Sequence, residues 1–293
     1  MRIGARFPNA GATPAETGLA TAAERLEAAG FDSLWVSDHL AMPLGDSTPY
    51  PFSDDGRFPW PRDLGWSEAM TALAIAAGVT ERIELGTAVL IAPLRTPLLV
   101  AMQAASISVE AGGRMALGVG AGWLADEFHA VGVPFGDRGR RLDAWIGAAR
   151  EVWSGVLGVR GSDDPYPNPA PLVCRPVPVA PIPILVGGTS AAALRRVGRV
   201  GDGWVGITPV DRIDTAALGT AIGSIREEAT RSSHEVAERR IVLQITASAG
   251  RARDVADHLS ALAEIGVDDV IVDVDVEAPD DAARTYETLR SAV

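Results

Sequence analysis

The sequence predicts a closed (β/α)8 barrel, and three observations carry that expectation. Eight short apolar runs, at 2–7, 31–37, 83–91, 115–120, 182–187, 203–207, 240–247 and 269–276, recur along the whole chain. Between them lie stretches with helical spacing, and alternation of this kind makes a parallel sheet covered by helices. At 293 residues the chain has the length at which such a barrel closes as one unit, here 1–293. An open doubly wound sheet is the runner-up.

The elements follow in order. After the first strand, Leu19, Ala22, Ala23 and Leu26 recur at i, i+3, i+4 and i+7, and Gly30 supplies a stop. The second strand, "SLWV", runs into Asp38 and His39 rather than into turn residues. Further helices are expected at 67–78, 97–111, 138–154, 190–199, 212–231, 252–265 and 280–291. Two connections, 40–65 after the second strand and the Pro-rich 156–181 before the fifth, show no periodicity. Long connections of this kind in a compact domain are lids or inserts. No internal repeat or low-complexity linker divides the chain.

Composition narrows the function. The formal charge of −12 disfavours nucleic acid and anionic membrane as partners, because phosphates meet a repelling field. All 26 basic residues are Arg, which excludes Schiff-base chemistry and the P-loop, both of which need a Lys amine. A lone Cys174 forms no internal disulfide, and no apolar run approaches the roughly 18 residues of a membrane span. A cytoplasmic protein acting on a small molecule is expected.

In a barrel, reactive groups gather at the C-terminal ends of strands. Asp38 and His39 end the second strand and are the candidate catalytic pair; a capping Asp beside a structural His is the other reading. "GVGAGW" ends the fourth strand, where Gly120, Ala121 and Gly122 would let a flat ligand approach the backbone. Gly120 to Ala125 also fits the dinucleotide pattern G-x-G-x-x-A, but three strands precede it and no helix opens at once, so that reading is discounted. Gly187, Gly188 and Thr189 end the fifth strand before a helix, a place where backbone N–H groups can hold an anion; a plain Ser190 cap is the alternative. Tyr50, Phe52, Phe58, Trp60 and Trp66 on and beside the first long loop suggest an apolar or aromatic substrate, or else pack on the barrel. His129, His234 and His258 share no metal-ligand spacing with each other or with Cys174, so no metal is expected. No G-x-S-x-G elbow supports a serine hydrolase.

Four stretches in register carry a resemblance: "GFDSLWVSDHL", the run from "LGTAVLIAPLRTPLL" to "GAGWLADEF", "GVPFGDRGRRLDAWI", and "PIPILVGGTSAAALRRVGRVGDGW". From Met1 to Ile207 the chain resembles the luciferase-like monooxygenase superfamily, specifically its coenzyme F420-dependent oxidoreductases. The resemblance implies a barrel binding a deazaflavin or flavin across the strand C-termini, with Asp38 and His39 beside the reactive ring. It places Ala88 and Val89 in a bulge, often a cis peptide, that backs the ring. Gly120, Ala121 and Gly122 would line the ring or its side chain, and Gly187, Gly188 and Thr189 would meet the phosphate. Coenzyme F420 is the implied cofactor; an FMN-dependent monooxygenase is the nearest rival, and a non-catalytic flavin-binding barrel a third reading. Trp123 stands where the sugar-phosphate dehydrogenases of the family carry a Glu proton donor, which argues against glucose 6-phosphate and makes Trp123 a pocket candidate with Trp60 and Trp66. The partners expected are a small-molecule substrate, a cofactor-reducing enzyme and a second copy of the chain, with neither nucleic acid nor membrane.

Overall fold

Eight strands pair in parallel and the eighth returns to the first, which closes the sheet on itself. They are β1 (Arg2–Arg6), β2 (Ser33–Val36), β3 (Glu84–Thr87), β4 (Met115–Gly120), β5 (Ile184–Gly187), β6 (Gly203–Pro209), β7 (Arg240–Thr246) and β8 (Asp269–Val272). Each run read from the sequence holds one of them, except that β6 extends two residues past its run of 203–207, to Pro209. This computed structural model describes the chain except Asp46, Ser47, Phe52, Asp54, Pro59, Arg62 and residues 233–238. The expectations for Phe52 and His234 therefore lie outside the described residues.

The outer layer consists of α1 (Leu19–Ala28), α2 (Ala69–Ala77), α3 (Pro97–Glu110), α4 (Arg138–Trp153), α5 (Ala191–Val200), α6 (Thr215–Arg231), α7 (Ala252–Glu264) and α8 (Pro279–Arg290). Their starts follow local chemistry. Ser190 and Asp214 accept the N–H groups of Ala193 and Ala217 as caps, while Pro97 and Pro279 open α3 and α8, where no N–H is needed. The helices bury their apolar stripes on the outer face of the strands in one continuous core. Among the described residues no helix is long and apolar enough to cross a membrane.

Two details depart from the sequence reading. The connection 156–181 is not featureless: Val156–Leu157 and Leu172–Val173 pair antiparallel, and Arg160 bridges Asn168. Two-residue strands are too short to show a period. A short strand, Leu90–Ile91, also follows β3 and pairs with β4 at Val119 and Gly120.

The barrel interior is filled largely by one ring. Trp35 is fully buried and donates Nε1–H to the Ser33 hydroxyl at 2.8 Å. It fits because its neighbours on both flanking strands are glycines: a Cβ at Gly86 would lie 2.3 Å from the ring, and one at Gly4 2.9 Å. Ala116, Leu185, Val205, Val242 and Ile271 complete this inner cluster. At the N-terminal end of the strands, Arg240 is held by Asp269 at 2.8 and 2.9 Å and by Glu84 at 2.6 Å, and Arg2 joins Glu84. That end is a packed, ion-paired floor. Chemistry belongs to the other end.

Candidate functional site

The C-terminal mouth of the barrel gathers most of the residues singled out above. Where β2 ends, the buried Asn9 bonds the Ser37 N–H at 3.1 Å and the Ser37 carbonyl at 2.8 Å, which fixes the exit of the chain. Asp38 follows, with its side chain fully buried. Arg95 grips both its carboxylate oxygens, at 2.7 and 2.8 Å, and the Ile91 N–H takes one of them at 2.8 Å. Burial works against the Arg95 charge, but Asp38 and then Glu68 more than reverse this and hold its pKa above the ordinary value. A carboxylate bound this way is well suited to orient a chain and poorly suited to carry protons.

His39 is arranged differently. Its Nδ1 lies 2.9 Å from Oε2 of Glu127, whose other oxygen accepts the backbone N–H groups of Leu40 at 2.6 Å and Ala41 at 3.3 Å. Glu127 is 2% exposed and sits in the short helix Ala125–Ala130. It therefore holds both the ring and the backbone that bears it. No hydrogen bond is made to Nε2 among the described residues, so that nitrogen remains for a ligand.

Aromatic rings enclose the imidazole. Trp66, Trp123 and Phe58 stand edge-on to it at centroid distances of 5.1, 5.9 and 6.0 Å. Tyr50 packs on Trp123 at 5.1 Å, and Trp60 on Phe58 at 5.1 Å. Trp60, Trp66 and Trp123 thus share one cluster with His39, although they come from the first long loop, its end, and the loop after β4. Arg6, at the tip of β1, reaches the same cluster: it is 3.1 Å from Asp273 and 5.4 Å from the centre of the Trp60 ring. Burial pushes the Tyr50 phenol up to about 12, against a smaller opposing pull from the Arg6 charge.

Ala88 and Val89, joined by a cis peptide, form the wall beneath. Both are partly exposed and pack on the inner cluster around Trp35, so they present a small apolar face at the mouth. The glycines have a more specific task than a flat approach to ligand. A Cβ at Gly120 would come within 2.6 Å of Val89, and one at Gly187 within 2.7 Å. At Gly122, where φ is 84°, a Cβ would come within 2.6 Å of Ile91 and 2.9 Å of Phe128. Gly120 and Gly187 seat the protein's own bulge first; Ala121, partly buried, packs on the main core.

At the end of β5, Gly188 has φ 117° and its carbonyl accepts the Trp204 indole N–H at 2.9 Å. The backbone N–H groups of Thr189 and Ser190 have no partner among the described residues, and they precede the ten-residue α5. The three Arg of α5 differ: Arg195 is exposed, whereas Arg196 and Arg199 both pair with Asp143, at 2.7 and 2.9 Å. An apolar wall with a helix N-terminus at its edge fits a flat heterocycle bearing a phosphate. No group of His, Cys, Asp or Glu suited to a metal occurs among the described residues.

The family model of the luciferase-like monooxygenases matches residues 3–291. The chain belongs to that family. Membership makes it an enzyme of the oxidoreductase and monooxygenase class. Among curated relatives, an uncharacterised Mycobacterium tuberculosis protein is 36% identical over 72% of each chain. The F420-dependent glucose-6-phosphate dehydrogenase of Beutenbergia cavernae is 30% identical over 89% of this chain and 75% of its own. Among solved structures, an F420-dependent secondary alcohol dehydrogenase in complex with an F420-acetone adduct aligns over 99% of both chains, with TM-score 0.75 and 16% identity. The oxygenating constituent of 3,6-diketocamphane monooxygenase from Pseudomonas putida, in complex with FMN, aligns over 100% of this chain and 98% of its own, with TM-score 0.71 and 16% identity. At such identity the likeness to these structures is one of fold.

Sequence reasoning missed Glu127, Arg95 and Arg6. Glu127 follows Asp126 in "ADEF", where a second acid reads as solvated helix surface. The one available signal is its place beside Phe128, on the face that turns inward.

Proposed function

We propose that the protein transfers a hydride between coenzyme F420 and a small apolar or aromatic organic substrate at the barrel mouth. The observation that carries this reading is the His39–Glu127 pair: a hydrogen-bonded, ring-enclosed imidazole whose Nε2 is left for a ligand. Family membership and the F420 dependence named for the Beutenbergia relative support it. When bound, the deazaflavin supplies the hydride chemistry.

The chain's own residues bind, orient and move a proton. Ala88 and Val89 offer the apolar backing for a flat ring, with Gly120, Ala121 and Gly122 beside it. Thr189, with Ser190 after it, holds its phosphate through backbone N–H groups, beside Gly187 and Gly188 at the end of β5. Glu127 accepts from Nδ1–H of His39, so Nε2 is left with the lone pair. Nε2 takes the proton of a substrate hydroxyl, or returns it to a substrate oxygen, and the Glu127 carboxylate steadies the imidazolium between these events. Trp60, Trp66, Trp123 and the lid rings exclude water and select an apolar substrate. Asp38 positions the loop through Arg95. A small-molecule substrate, a cofactor-reducing enzyme and a second copy of the chain are the partners of this reading, and the cytoplasm its compartment.

A second reading, an FMN-dependent monooxygenase, is favoured by the family description and by the FMN complex of the same fold. Titration by fluorescence quenching, with F420 and FMN in parallel, decides between them. Tighter binding of F420 upholds the proposal, tighter binding of FMN replaces it, and binding of either without turnover of any substrate leaves a non-catalytic carrier.

A further inference from the structure

A second cleft lies in the helical layer, and its lining shares no residue with the mouth. It has a volume of about 370 Å³ and is walled by residues 250–254, where α7 begins, and by Asp281, Arg284, Thr285 and Thr288, one stripe of α8. Four observations give it a chemical character. The backbone N–H groups of Ala252, Arg253 and Asp254 have no partner among the described residues, and Arg251, in the N-cap position, supplies no side-chain cap. They head a helix of 13 residues, so the positive end of its dipole faces the cleft. Arg253 has no ion-pair partner among the described residues. Thr285 is 7% exposed, yet its hydroxyl makes no hydrogen bond among the described residues, whereas the neighbouring Thr288 bonds the Arg284 carbonyl at 2.7 Å. Thr285 lines the cleft, so its hydroxyl is free to bond a ligand there.

The acids in the wall are already matched. Asp254 is held by Arg251, which also holds Asp211 at 2.7 Å, and Asp281 stands 3.5 Å from Arg284. Arg253 and the remaining donors of Arg284 are therefore the charges available to a ligand. We propose that this cleft binds a phosphate group, as inorganic phosphate or as the end of a small phosphate monoester. A tetrahedral dianion accepts from the three N–H groups, from both guanidinium groups and from the Thr285 hydroxyl at once. The volume exceeds that of one phosphate group, which leaves room for a short organic part.

Isothermal titration of the full chain with inorganic phosphate and, separately, with glycerol 3-phosphate tests this in a buffer free of other oxyanions. Saturable binding of phosphate, alone or together with the monoester, is expected. Thr285→Val should weaken it by about tenfold, the worth of one hydrogen bond to a charged group. Arg253→Gln, at an exposed position that does not endanger folding, should weaken it at least as much. No saturable binding of either probe overturns the proposal. Binding of equal strength in both variants also overturns it, because the anion then sits elsewhere.

Discussion

Nδ1 of His39 lies 2.9 Å from Oε2 of Glu127, a residue 88 positions further along the chain. The contact joins the tip of β2 to the helix after β4 and turns a surface-prone acid into the buried partner of an imidazole. Glu127 also takes the Leu40 and Ala41 N–H groups, so one carboxylate sets ring, tautomer and loop together.

If Nε2 moves the proton, His39→Ala slows turnover by a factor on the order of 10²–10⁴ and leaves cofactor affinity nearly unchanged. Glu127→Gln, acting through the ring, should lower turnover by less and alter its pH profile. Steady-state rates across pH and a cofactor titration check both. A His39→Ala enzyme that is merely less heat-stable, with its folded fraction fully active, ends the assignment.

The Asp38–Arg95 pair makes a stability prediction. The two side chains are 0% and 9% exposed, and removing one partner strands the other charge in the interior. Arg95→Met should cost about 3–5 kcal/mol in denaturant unfolding. Replacing both residues with apolar ones should cost less than the sum of the two single changes. A loss below about 1 kcal/mol for Arg95→Met, the range of exposed pairs, would show that the pair is solvated.

Gly120 and Val89 should be coupled. Gly120→Ala places a methyl 2.6 Å from Val89, an overpacking that costs about 1–3 kcal/mol. Val89→Ala removes the obstructing carbon, so the double variant should recover most of that loss. Equal penalties in both backgrounds would mean that the glycine serves something other than the bulge.

Tyr50 should ionise late. Its phenol is pushed up to about 12 from an ordinary 10.0. Because the folded pKa is raised, the unfolded chain loses this proton first, and stability falls as pH climbs from about 10 to about 12. A phenolate absorbance titration of the wild type and of Tyr50→Phe reads this directly; the difference between the two curves should rise near 12, not 10.

The sequence made the barrel legible because strands and helices are written locally. Leu19, Ala22, Ala23 and Leu26 mark a helix without reference to anything distant, and the β runs stand out as short apolar stretches between such helices. The tips of the strands were legible for a related reason: Asp38, His39 and the paired glycines break the apolar pattern just where β2, β4 and β5 end. The pairings were not legible. Whether an Asp is a catalyst or a clamp depends on Arg95, 57 positions away, and no periodicity connects the two. Gly86 and Gly4 read as weak strand residues until Trp35 is seen between them. The role of Gly120 likewise needed the position of Val89, which only the closed sheet supplies.

The closure of that sheet sets an order of events during synthesis. β1 pairs with β8 from Arg2 opposite Asp269 to Ala5 opposite Val272, and Arg6 meets Asp273 across 267 positions. β1 therefore leaves the ribosome long before β8, and its second edge stays uncovered until β8 arrives. Contacts so distant are slow to form, and meanwhile β1 offers an unpaired row of N–H and C=O groups to any other chain. A nascent or truncated chain lacking β8 is thus an aggregation-prone open sheet and not a smaller enzyme, and the rim that carries Arg6 is completed only once Asp273 is in place.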